Sequence, residues 1–156
     1  VRFIPSHGDG HRGNNETFTL DAELAVLNGS KQMFEVFNVN WFTEIEVNRV
    51  EVSVLYEIGN DYISLGSSSL HPNVKSNATD SNSLKVSPRS WKRFELDFSL
   101  QLLSYRARSD VYWRCYNGDS LPLDFVGFMR VSLFRKGNQE VQFGPVQVNP
   151  QCDLKI

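Results

Sequence analysis

This chain of 156 residues has only three histidines and two cysteines, residue types that recur in metal sites and in nucleophilic catalysis. The sequence has neither a Gly-x-Ser-x-Gly elbow nor a glycine run that could cradle phosphate, and only His71 lies outside the N-terminal segment. A formal net charge of -2 leaves no basic excess for contacts with nucleic-acid phosphates. We therefore expect a protein that is not an enzyme, uses no cofactor and does not bind nucleic acid.

One weak candidate for a metal site remains near the N-terminus. His7, Asp9 and His11 alternate with glycines and could together coordinate a divalent cation. Three ligands in a glycine-rich segment bind weakly unless another chain completes the shell, and the helical spacing of a His-Glu-x-x-His site is absent. We interpret the segment as a solvated linker.

Long apolar runs are also missing. No run of about 18 apolar residues occurs, so the sequence predicts no membrane-spanning helix. A start at Val1 without an initiator Met is typical of a product after signal cleavage or of a lumenal portion of a longer protein, although a recombinant fragment would start in the same way. Cys115 and Cys152 predict either one disulfide, closing a loop of 37 residues, or two buried thiols.

Three Asn-x-Ser/Thr sequons fall between or outside the regular stretches of the chain. Asn15 lies in a polar leader, Asn28 is predicted to open an Asn-Gly-Ser turn, and Asn77 lies in a loop rich in Ser and Asn. N-linked glycans are therefore expected at these positions. With the cysteine pair, the sequons favour a secreted, extracellular or lumenal protein.

Apolar and polar residues alternate with a period of two in several stretches, most clearly from Phe94 to Leu102. We predict strands over 18–26, 33–42, 44–58, 62–65, 84–86, 91–102, 121–134 and 140–148. The apolar phase of the third flips near Asn48-Arg49, which predicts a bulge or a strand switch there. Leu103, Ala107, Val111 and Cys115 recur every four residues and predict a short helix.

These elements predict an all-β fold, an immunoglobulin-like or fibronectin-like antiparallel β-sandwich with one short helix. The predicted sandwich covers residues 17–156. Residues 1–16 lack periodicity and are predicted to form a flexible, extended N-terminal arm.

The layout from about Phe18 to Cys152 resembles the late embryogenesis abundant proteins of the second type, also called the water-stress and hypersensitive-response domain. The resemblance lies in the stretch 34–42, where an apolar strand runs into a turn that begins Asn38-Val39-Asn40-Trp41, with Val39 where the family carries Pro. The cysteine pair is similar to that of lumenal domains in related lysosomal and vacuolar membrane proteins. The resemblance implies a sandwich without enzymatic activity and with a lipid-handling or adhesive role.

Two predicted strands, 33–42 and 121–134, are apolar on both faces, whereas a two-layer sandwich buries one face of each sheet. Parts of the same chain, a second copy or a lipid chain could cover the other face. The residues expected to form this interface or lipid surface are Phe34, Phe37, Phe125, Val126, Phe128, Met129 and Phe134.

We predict that the protein assembles with itself or with another protein, into an oligomer or filament, by β-strand addition. The donor is either an edge strand or the apolar tip of the arm, which consists of Val1, Phe3, Ile4 and Pro5. One alternative is a lipid-binding module with an apolar groove. Another is an adhesion or carbohydrate-recognition domain with Trp41, Trp91 or Trp113 stacking on sugar, although we expect at least two of these tryptophans in the core.

Overall fold

The computed structural model describes residues 2–4, 17–70, 85–133 and 137–156, except for the side chains of residues 2–4, 30, 31 and 70. The elements in chain order are β1 Arg2–Ile4, β2 Thr17–Asp21, β3 Val26–Phe37, β4 Ile45–Ile58, β5 Asp61–Leu70, β6 Lys85–Val86, β7 Trp91–Gln101, α1 Tyr105–Tyr116, β8 Leu123–Leu133, β9 Gly137–Val148 and β10 Gln151–Lys155. Within these ranges no helix is long and apolar enough to cross a membrane.

The strands form two sheets, which confirms the predicted all-β sandwich. In the first sheet β3 pairs with β7 along its whole length, with β2 and with β1, and β10 pairs with β2 in parallel. In the second sheet β4 pairs with β8, β5 and β6, and β9 pairs with the far side of β8. All described pairings other than that of β10 with β2 are antiparallel.

The core lies between the inner faces of the two sheets. Phe34 of the first sheet lies 5.8 Å from Phe125 of the second, measured between ring centroids, and Phe98 stacks on Phe125 at 5.3 Å. The alternating residues of β7, from Phe94 to Leu100, are buried as their period predicts. The sheets are thus held together by aromatic packing that fills the space between them.

Helix α1 closes one end of the sandwich. Ser104 caps it by accepting a hydrogen bond from the backbone N–H of Ala107, and Ala107, Val111 and Cys115 form its buried stripe. Leu103 was expected in this stripe, but it precedes the cap and is exposed. A disulfide from Cys115 to Cys152 joins the last turn of α1 to β10, so the predicted bridge is present rather than two free thiols.

A polar network between the buried Tyr56 and two half-exposed side chains of α1 also fixes the helix to the second sheet. The Tyr56 hydroxyl of β4, which is fully buried, donates a hydrogen bond to the Asp110 carboxylate, which also accepts one from Arg114 Nε at 3.2 Å. Burial, followed by the bond to the Asp110 carboxylate, raises the pKa of Tyr56 far above its ordinary value. This hydroxyl therefore stays protonated and structural.

Several local predictions can be compared with the strands. The predicted bulge in β4 is confirmed, since its register with β8 shifts between Val47 and Arg49. The predicted Asn-Gly-Ser turn is wrong, because Asn28 and Gly29 lie inside β3. Gly29 is needed there because a Cβ would overlap the ring of Phe18, which packs against the strand.

Candidate functional site

The first candidate site is the edge of β3 that faces away from β7. Two short strands share this edge, because β2 pairs with residues 26–28 and β1 pairs with residues 33–35, while β7 occupies the opposite edge throughout. β1 and β2 therefore lie end to end along this edge. We call residues 33–35 of β3, the part of the edge that lies beyond β2 and pairs with β1, the β3 notch. Arg2–Ile4, part of the predicted arm, fill this notch as a strand of the first sheet.

The register of β1 matches residue types across the sheet. Arg2 is the partner of Glu35, whose other neighbour is Arg93 on β7, and Phe3 is the partner of Phe34. Arg93 Nε lies 3.8 Å from the Glu35 carboxylate, which is almost completely buried. Opposite charges and aromatic residues in facing positions each stabilise a strand pair by roughly 0.2–1 kcal/mol. The notch therefore favours a strand of this sequence.

The second candidate site is the loop between β3 and β4, which begins with Asn38. The side chain of Asn38 is buried and donates to the carbonyl oxygens of Thr43 at 2.8 Å and Val86 at 3.0 Å. Its Oδ1 accepts from the backbone N–H of Asn40 at 3.0 Å and from the Asn40 Nδ2 at 2.9 Å. One amide thus joins both ends of the loop to β6 and fixes the conformation between them.

Arg89 supports this loop from the side. Its backbone N–H donates to the carbonyl oxygens of Asn38 and Asn40, and its Nη1 donates to that of Val39 at 3.1 Å. The guanidinium lies between two rings, 5.1 Å from the centroid of Phe37 and 4.3 Å from that of Trp41. Arg89 also has a φ of 54°, a left-handed conformation that is uncommon for a residue with a side chain.

Apolar side chains project from the fixed loop into solvent. Val39 is 66% exposed, Trp41 68% and Phe42 94%. Trp91, the partner of Phe37 on β7, is half-exposed beside them, with the two rings 4.9 Å apart. We call Val39, Trp41 and Phe42 the apolar loop tip; it lies at the end of the sandwich opposite α1. Beside it is an open cleft of about 440 Å³, lined in part by Phe42, Glu44 and Lys85.

The expectation that most tryptophans are buried is wrong. Trp41, Trp91 and Trp113 are all exposed, the last on the outer side of α1, where it contacts Tyr112 and Tyr116 edge-on. Large rings favour burial in general, but these three lie in a loop, at the first position of a strand and on the solvent side of a helix.

The residues predicted to form an interface or lipid surface lie on both faces of the sheets. Phe34, Phe125 and Met129 belong to the core and fill the space that a groove between the sheets would need. Phe37, Val126 and Phe128 are half-buried on the outer faces, and Phe128 is partly covered by the Arg49 guanidinium at 5.5 Å. Phe134 lies outside the described residues.

Of the predicted sequons, Asn28 is exposed on β3, whereas Asn15 and Asn77 lie outside the described residues. Val1, Pro5 and the candidate metal ligands His7, Asp9 and His11 also lie outside them. In the described part of the chain, no three His, Cys, Asp or Glu side chains gather in a way that could hold a metal ion.

The geometry thus defines a β-sandwich with two surface features, the strand notch on β3 and the apolar loop tip. The disulfide fits a compartment less reducing than the cytosol. No protein-family model matches the chain, and no curated protein matches it significantly. The resemblance to the late embryogenesis abundant proteins of the second type therefore stays a prediction.

Proposed function

We propose that this protein is a non-enzymatic extracellular or lumenal module that assembles with copies of itself by exchanging strand β1. In the assembly, residues 2–4 of one copy occupy the β3 notch of the next copy instead of their own. The observation that carries this proposal is the pairing of Arg2–Ile4 with residues 33–35 of β3.

The length of chain between β1 and β2 supports the exchange. Twelve residues, 5–16, connect the two strands. Along β3, the notch and the end of β2 are only five residues apart, from Met33 to Asn28, or about 17 Å. Twelve residues can span about 40 Å when extended. The connection is therefore longer than pairing within one chain requires and can reach a neighbouring copy.

Pairing within and between chains uses the same backbone hydrogen bonds, so the balance depends on protein concentration. An exchange in which each copy donates to the next is a head-to-tail contact, which gives a closed ring or an open filament according to its rotation. Sugars at the exposed Asn28, in the middle of the first sheet, would leave the β3 notch itself uncovered.

Sedimentation velocity over a range of concentrations tests the proposal. The full chain should show species above the monomer that increase with concentration, and a chain without residues 1–16 should stay monomeric. Phe3→Lys places a charge opposite Phe34 in the strand pair and should reduce assembly. Arg2→Lys keeps the positive charge opposite Glu35 and should leave assembly unchanged. Far-UV circular dichroism checks that each variant is folded.

Identical sedimentation of the full chain and of the chain without residues 1–16 would contradict the proposal. Equal loss of assembly in Phe3→Lys and Arg2→Lys would contradict the specific register.

A further inference from the structure

The apolar loop tip is not used by strand exchange, since it lies at the end of β3 beyond the notch. It combines three properties: side chains that are apolar and strongly exposed, a backbone held by a buried amide, and an adjacent cation. We propose that this loop docks the domain on the interface of a lipid bilayer, with Trp41 and Phe42 inserted among the headgroups and acyl chains.

The shape of the loop favours a bilayer over a protein partner. A stable protein interface buries about 800 Å² on each side. Trp41 and Phe42 together can bury only about 400 Å². Phe42 is 94% exposed, so among the described residues little of its ring packs against a neighbouring side chain. A bilayer needs no larger complementary surface, because a few aromatic side chains at the right depth suffice to hold a protein at its surface.

The polar groups near the rings argue against sugar as the ligand. Asn38 and Asn40, which lie closest in the chain, use their side-chain amides to bond each other and the loop backbone. One face of Trp41 is covered by the Arg89 guanidinium. The amides and the guanidinium nearest to the exposed rings are therefore already engaged and are not available to orient a carbohydrate.

The charges around the tip fit anionic headgroups. Arg89 lies against Trp41 at the level where the ring would meet lipid phosphates, and Lys85 lines the cleft beside Phe42. Lys92 follows Trp91 at the start of β7. Glu44 and Glu46 oppose them, which leaves a net charge of +1 over these five described residues. We therefore expect anionic lipid to strengthen docking modestly, while the apolar side chains supply most of the affinity.

The rigidity of the loop lowers the cost of docking. A flexible loop would lose conformational freedom on insertion, whereas this one is already held by Asn38 and by three hydrogen bonds from Arg89. The left-handed backbone of Arg89 is part of the same support, since its N–H reaches two loop carbonyls.

Flotation with lipid vesicles tests this proposal on the full chain. We expect the protein to float with vesicles of phosphatidylcholine and phosphatidylserine in equal amounts, and more weakly with phosphatidylcholine alone. Trp41→Ser combined with Phe42→Ser should lower the partition coefficient about a hundredfold on both. Lys85→Gln, which removes a positive charge from the cleft beside Phe42, should lower it about fivefold on the anionic vesicles alone.

The matched control is Trp113→Ser combined with Tyr116→Ser, which removes two exposed rings from α1 at the opposite end of the sandwich. This control should float like the unaltered protein. Absence of flotation with either vesicle, or equal loss in both double variants, would overturn the proposal. So would a loop variant that floats normally but no longer self-associates, since that result would make the tip a protein contact.

Discussion

The amide of Asn38 gives the sharpest prediction about how the loop between β3 and β4 is built. In Asn38→Ala the buried carbonyl oxygen of Val86 loses its donor, which costs about 2 kcal/mol. The lost bonds to Thr43 and Asn40, both partly exposed, add about 1 kcal/mol because water replaces them in part. The free energy of unfolding should therefore fall by about 3 kcal/mol. For a chain of this length, that corresponds to a fall in Tm of about 9 °C.

Thermal unfolding followed by circular dichroism or calorimetry measures this change. Asn40→Ala is the matched control, since it removes a single side-chain bond to Asn38 at a partly exposed position and should lower Tm by less than about 3 °C. If Asn38→Ala lowered Tm no more than Asn40→Ala, the loop would not depend on the buried amide, and the argument for a fixed tip would fail.

Three further predictions concern the scaffold. Replacing Cys115 and Cys152 by Ala should cost about 4 kcal/mol and lower Tm by about 12 °C. Reductant should reproduce this loss in the unaltered protein and have no effect on the Tm of the variant. In urea unfolding, Gly127→Ala should lower the free energy of unfolding by about 3 kcal/mol or more, because its Cβ would overlap the carbonyl oxygen of Glu51 on β4. The control Gly118→Ala has open space around it and a φ of 72°, so it should cost only about 1 kcal/mol. Equal losses in the two variants would refute the packing argument. Because the pKa of Tyr56 is raised in the folded state, the unfolded chain loses this proton first, so this group should leave stability unchanged below about pH 10 and lower it as the pH rises beyond that. Tyr56→Phe should show a smaller fall, and an unchanged pH dependence would contradict the hydrogen bond from the buried Tyr56 hydroxyl to Asp110.

Patterns with a local physical cause were predictable from the sequence. The flip in apolar phase near Asn48 marks a bulge, because one extra residue returns the same face of β4 to the core. The four-residue spacing from Ala107 to Cys115 marks the buried stripe of α1, because residues four apart lie on one face of a helix.

Features that depend on distant partners were missed. Asn28-Gly29 has the composition of a turn, yet Gly29 serves contact with the Phe18 ring, which only the folded sheet reveals. The strand β10 is short and pairs in parallel with β2 at the other end of the chain.

The candidate sites were partly predictable. The apolar residues of the arm indicated strand addition, but not the notch on β3 that Arg2–Ile4 fill, because β2 and β1 share that edge only in three dimensions. The periodicity predicted a strand to Phe42, but β3 ends at Phe37, and only the family resemblance implied a turn from Asn38. The exposure of the loop's rings follows from the bonds of Asn38 and Arg89, which the sequence does not reveal.

Mixing two single-cysteine variants tests strand exchange most directly. Ile4 and Met33 are register partners, so their Cβ atoms lie about 5 Å apart in the pair. Ile4→Cys chains mixed with Met33→Cys chains should form a covalent dimer on mild oxidation, and the dimer yield should rise with protein concentration. The yield should exceed that of a control mixture of Ile4→Cys chains with Ser99→Cys chains, because Ser99 is an exposed position on β7 that does not pair with β1. A dimer yield no higher than that of the Ser99→Cys mixture, at any concentration, would show that β1 stays in its own chain and would contradict assembly by strand exchange.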